Sequence, residues 1–212
     1  MKSKAIALLI CAVFLGVDAS AAADRPGEMS VLPLALKFVE FVGANGQPVL
    51  SHAQVERVTE GMNRVYRTCG IQFRLEDYLA VNPRNYGFLP ESISMDSLDR
   101  IRGPFDTGKE LVVINTGAWN HKIMGTANAW TMMPGELPAG SVIEGPVADD
   151  TALVAHEMGH YLSLEHVSDS ANMMNPTIYN SSTVIQSWQC ARMRQTATTS
   201  RVRALRENLG NS

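Results

Sequence analysis

HEMGHYLSLEH, residues 156 to 166, holds three of the five histidines in a chain of 212 residues. On a helix of 3.6 residues per turn, His156 and His160 lie one above the other, close enough for both imidazoles to reach one metal ion. Glu157 then falls beside such an ion rather than on it. His166 can join only if the helix ends soon after His160 and the chain turns back, because six further helical residues would carry it about 9 Å along the axis. Just upstream, Asp149, Asp150 and Thr151 offer N-caps and negative charge at a helix start, so the first two histidines are expected on a helix.

Outward from this window the pattern alternates between strands and helices. LPLALKFVEF (32–41) places Leu34, Leu36 and Phe38 at every second position and predicts a half-buried first strand. Ser51 caps a helix carrying Val55, Val58, Met62 and Val65, which stops near Cys69-Gly70. IQFRLEDY (71–78) alternates again as a second strand. Residues 80–107 are rich in turn formers and predict an irregular connection with one short helix around Met95 to Ile101. Strands are expected at 110–117, 125–134 and 141–145, a loop at 167–182, and a last helix over Thr183 to Met193. No internal repeat or linker appears, so residues 24–212 are expected to form one domain.

The first residues carry Lys2 and Lys4, an apolar run from Ala5 to Val17 and then small residues, the pattern of a signal peptide over residues 1–23, cleaved after Ala21 or Ala23. The run is too short for a permanent span of roughly 20 apolar residues, so no stable membrane insertion is expected after cleavage. Export to the periplasm or the medium follows, and with it an oxidising compartment. Cleavage removes Cys11 and leaves Cys69 and Cys190, for which one disulfide is the simplest expectation; two buried thiols are the alternative. A hydrophobic content of 45% suits an ordinary globular core, and a formal net charge of −3 gives no footprint for a nucleic-acid partner. A monomer is favoured.

The residues that carry chemistry have a known parallel. His156-Glu157-x-x-His160-x-x-Ser163-x-x-His166, followed eight residues later by Met174 in ANMMNP (171–176), resembles the metzincin zinc metallopeptidases, whose pattern has glycine where this chain has Ser163. GTANAWTMMP (125–134) is similar to the edge strand of small bacterial secreted and pappalysin-like members, and QCARMR (189–194) to their C-terminal helix. The resemblance implies a zincin-like α+β fold: a twisted mixed sheet of four to five strands on an N-terminal helix, the active-site helix and a C-terminal helix. It implies one catalytic Zn²⁺ on His156, His160 and His166, Glu157 as general base, and Met174 beneath the histidines. The implied activity is that of an exported endopeptidase acting on peptides or proteins. Thr126, Ala127, Asn128, Ala129 and Trp130 are then expected to pair with substrate, and Pro176, Thr177, Ile178 and Tyr179 to wall a side-chain pocket.

A glutamate third ligand on a later helix is disfavoured because no glutamate occurs between Glu165 and Glu207. Three histidines fix a metal but not its substrate, so a non-peptidase zinc hydrolase or an idle zinc-stabilised binding protein on the same fold stays open. His52 and His121 read as surface residues, Asp169 as an exposed loop carboxylate, and the arginines of the tail (Arg192 to Arg206) as a solvated helix. Ser163 is expected to leave the helix in a left-handed or otherwise non-helical conformation that brings His166 back.

Overall fold

The structure is a computed structural model that describes residues 29–90, 94–179 and 181–198. The expected signal peptide and the tail arginines from Arg201 onward lie outside these residues. The described residues from Val31 onward cluster as one compact unit.

Its elements run β1 (Leu32–Phe41), α1 (His52–Tyr66), β2 (Ile71–Val81), α2 (Met95–Arg102), β3 (Leu111–Thr116), α3 (His121–Met124), β4 (Ala129–Thr131), β5 (Ser141–Glu144), α4 (Thr151–Tyr161) and α5 (Ser187–Thr198). One mixed sheet has the order β2-β1-β3-β5-β4. β1, β2, β3 and β5 run parallel to one another, and only β4, at one edge of the sheet, is antiparallel. The α+β, zincin-like class anticipated from sequence is the one observed.

β1 departs from the half-buried expectation because both of its faces are covered. Leu34, Leu36 and Phe38 pack with Val55, Val58 and Met62 of α1, Met158 of α4 and Met193 of α5. Val39 and Phe41 turn to a second cluster with Leu98 and Ile101 of α2, Val112, Ile114 and Trp119. Alternation in sequence therefore marks which core each residue joins, as expected of a central parallel strand. Lys37 is tolerated there because it pairs with Asp77 at 3.3 Å and Glu110 at 3.5 Å.

α1 starts at Ser51 with a capping box to Gln54 and lies against α4, where the Tyr66 hydroxyl donates to the Ala155 carbonyl at 2.7 Å. Gly61 makes this approach possible: a Cβ there would lie 2.5 Å from the Thr151 side chain. Cys69 and Cys190 form a disulfide with Cα atoms 4.9 Å apart, tying the turn before β2 to α5. The bridge spans a sequence separation of 121 residues, and closing a loop of that size is worth about 4 to 5 kcal/mol in the chain-entropy account.

Several expected boundaries move, β2 running on to Val81, and one helix is added. β4 is three residues long rather than ten, since its partner β5 spans only four residues and ladder bonds end with the partner. α3, with Asn120 as its cap, occupies the loop ahead of it. α5 begins at Ser187 rather than Thr183, because Val184 is engaged elsewhere: its N–H donates to Ala171 O at 3.0 Å and its carbonyl accepts from Met173 N at 2.9 Å.

Candidate active site

α4 is fixed at both ends. Asp150 caps its start, accepting from Ala152 N at 2.9 Å and Leu153 N at 3.3 Å. At its end Ser163 has φ 71°, the one non-glycine residue with positive φ among those described. Ser163 N donates to His160 O and Leu164 N to Gly159 O, each at 2.9 Å, which are the two bonds of a Schellman turn. A serine with positive φ costs about 1 kcal/mol or more. Here its hydroxyl is also engaged, accepting from Thr196 Oγ1 of α5 at 2.9 Å. The chain thus leaves the helix sharply, and His166 comes back to the other two histidines.

The three Nε2 atoms converge at 3.0 Å (His156–His160), 3.1 Å (His160–His166) and 3.2 Å (His156–His166). Nδ1 of His156 faces the Met173 carbonyl and Nδ1 of His160 the Leu164 carbonyl, both at 2.8 Å. A carbonyl only accepts, so in both rings the proton sits on Nδ1 and the Nε2 lone pair points at its neighbours. One shared proton could satisfy at most one such pair, whereas a cation satisfies all three. Zinc–imidazole bonds of about 2.0–2.1 Å at near-tetrahedral angles would space donors roughly 3.3 Å apart, so the donor set fits such an ion. Burial pushes His156 down to about 4 and also lowers His160, against the bonds from the two carbonyls, which keeps both rings neutral and ready to ligate.

The methionine segment lies under this cluster. Met173 and Met174 are fully buried, and a Cβ on Gly159 of α4 would come within 2.4 Å of the Met174 sulfur. The segment is held by Asn172, which accepts from Met174 N at 2.9 Å and exchanges two bonds with Gln189 of α5 at 2.9 and 3.0 Å. All three of its attachments come from residues that are buried.

Glu157, 5% exposed, lines the same cleft as the histidines, a hollow of about 720 Å³. Burial pushes its carboxyl up to about 7, opposed by the Thr131 hydroxyl, which contacts Oε2, and by the Arg102 charge. The other wall is β4. Glu144 N donates to Asn128 O and Met132 N to Gly140 O, so 130/142 is the hydrogen-bonded pair between them. The N–H and C=O groups of Ala129 and Thr131 therefore point off the open edge of the sheet.

Thr126, Ala127, Asn128, Ala129 and Trp130 all line the cleft, as do Pro176, Thr177 and Ile178. Tyr179 is the exception: it is half exposed and outside the lining, because the chain has already turned toward the Tyr179–Ser182 bond. Thr131, Met133, Val147, Asp150 and Leu153 also line it and were not anticipated. Two supporting side chains were missed as well. Arg102, 1% exposed, donates from Nη2 to Trp130 O at 2.8 Å and from Nε to Gly140 O at 2.9 Å. Buried Glu144 accepts from Trp119 N at 2.8 Å and Asn128 Nδ2 at 2.7 Å, and meets His121 Nε2 at 3.1 Å. His121 is exposed as expected, yet it helps hold the loop leading into β4. Asp169 is an exposed loop residue that accepts from Ala171 N. A second hollow of about 800 Å³ between α1 and the start of α4 gathers no histidines or cysteines.

The fold is zincin-like, and its three converging histidines could hold one metal ion. Among solved structures the chain is similar to metalloproteinase-II from Bacteroides fragilis, with a TM-score of 0.52 over 79% of this chain, at 12% sequence identity. It covers 54% of that protein, about half its length, and at this identity the likeness is one of fold. No protein-family model and no curated protein matches the sequence.

Proposed function

We propose that the protein is an exported zinc-dependent endopeptidase of the metzincin group. The observation that carries this reading is the convergence of three Nε2 atoms within 3.2 Å of one another, two of them left unprotonated because a carbonyl behind each ring holds its proton on Nδ1. His156, His160 and His166 would hold the ion. When bound, zinc supplies Lewis acidity, polarising a carbonyl and making water more acidic.

The remaining work falls to the chain itself. An extended peptide pairs antiparallel with β4 through the outward N–H and C=O groups of Ala129 and Thr131. Leu153, Val147, Pro176 and Ile178 offer a mainly apolar pocket for one of its side chains. Glu157 takes a proton from the attacking water at its carboxylate and returns it to the leaving nitrogen, and its sheltered position suits a base working near neutral pH. The disulfide agrees with an exported protein.

Metal analysis of the purified protein is expected to give one zinc per chain, and a chelator is expected to abolish peptide cleavage until zinc is restored. Glu157→Ala is expected to keep the zinc while turnover falls by about 10²- to 10⁴-fold. Full cleavage by zinc-free protein would sink the reading; undiminished cleavage by Glu157→Ala would remove its general base.

A further inference from the structure

Thr131 stands where two parts of the site meet. Its main-chain groups point off the sheet edge, while its hydroxyl reaches down to Glu157 Oε2 of α4. The same hydroxyl lies 2.7 Å from Oγ of Ser141, which is fully buried on β5. A hydroxyl has one proton to give, and an ionised carboxylate can only accept. When Glu157 is ionised and ready to act as base, the Thr131 proton goes to it, and the Ser141 hydroxyl can then turn to donate to Thr131.

One carboxylate oxygen is in this way fixed from the edge strand, which leaves the other free to face the cleft. Behind the strand, Arg102 holds the Trp130 carbonyl one residue away, so the anchor from which Thr131 reaches is itself restrained.

We infer that Thr131 is a positioning residue: it ties the docking of the substrate main chain on β4 to the orientation of the Glu157 carboxylate, with Ser141 setting the direction of its hydroxyl. This rests on the endopeptidase reading above. A substrate strand that seats properly on Ala129 and Thr131 thus presses on the same residue that aims the base. Docking and base alignment become one event rather than two.

The test compares Thr131→Val, which keeps shape and loses the hydroxyl, with Thr131→Ser, which keeps the hydroxyl. On a quenched fluorogenic peptide cleaved by the wild type, Thr131→Val is expected to lower kcat roughly ten- to a hundredfold. KM should stay within about twofold and zinc stoichiometry should be unchanged, since the lost bond is to the base and not to substrate or metal. Thr131→Ser is expected to recover most of the loss, and Ser141→Ala to lower kcat by a smaller factor. Wild-type kcat in Thr131→Val overturns the inference, as does a loss that appears only in KM.

A second measurement does not need activity. In zinc-free protein, urea unfolding of Thr131→Val, Glu157→Ala and the double variant forms a cycle, with an expected departure from additivity of about tenfold in the unfolding constant. Additive behaviour would also overturn the contact. Loss of turnover in Glu157→Ala with an additive cycle would remove this inference alone, while undiminished turnover in Glu157→Ala would remove the proposed function first.

Discussion

On the lower side of the cleft, His156 and His160 are aimed by the carbonyls of Met173 and Leu164, which lie 17 and 4 residues away in sequence. On the upper side, three residues of β4 are steadied by a guanidinium from another part of the chain: Arg102 reaches Trp130 across 28 residues and Gly140 across 38. The histidines are thus aimed by main-chain carbonyls, one of them on a segment fastened by the Asn172–Gln189 pair, whereas the strand wall is held by remote charged side chains. Main-chain carbonyls survive most substitutions; a single buried arginine does not.

This contrast predicts that the two walls can be broken separately. Arg102→Ala is expected to cost about 2–4 kcal/mol in urea unfolding, because it leaves the buried Gly140 carbonyl and the part-buried Trp130 carbonyl short of a charged donor. It should raise KM for peptides while one zinc per chain is retained; loss of zinc instead would show that the walls are not independent. Gly159→Ala strikes the other wall. Its new Cβ would press on the Met174 sulfur, at an expected cost of about 1–3 kcal/mol and a weaker hold on zinc, read by chelator competition. The smallest effect is expected of Ser163→Gly. Relief of the left-handed backbone is offset by loss of the Thr196 bond, so unfolding stability should move by less than about 1 kcal/mol and zinc binding should not change.

The same contrast explains what the sequence disclosed. The lower wall was legible because helical spacing, N-caps, a turn residue and a methionine segment all lie within residues 149 to 176. Even the departure at Ser163 could be read, since the chain must leave the helix there, by a left-handed or otherwise non-helical residue, for His166 to return. The upper wall was not legible. Arg102 and Glu144 sit among ordinary polar residues, and nothing local distinguishes an arginine that will be 1% exposed from one that will be solvated. β4 was overestimated because GTANAWTMMP shows its own propensity but not the four-residue length of its partner. α5 was started too early because Val184 satisfies an amphipathic pattern and yet bonds to Ala171 and Met173.

The shortness of β4 has a consequence for what the cleft can accept. An open sheet edge pairs only with a chain whose own N–H and C=O groups are free, and residues inside a helix or a hairpin have already committed theirs. With just Ala129 and Thr131 offering groups outward, a folded partner cannot be pried open by the few bonds on offer. On the proposed reading, the first discrimination made by this protein is therefore by foldedness: it samples unfolded segments, mobile loops and frayed ends, and leaves compact domains intact whatever their sequence.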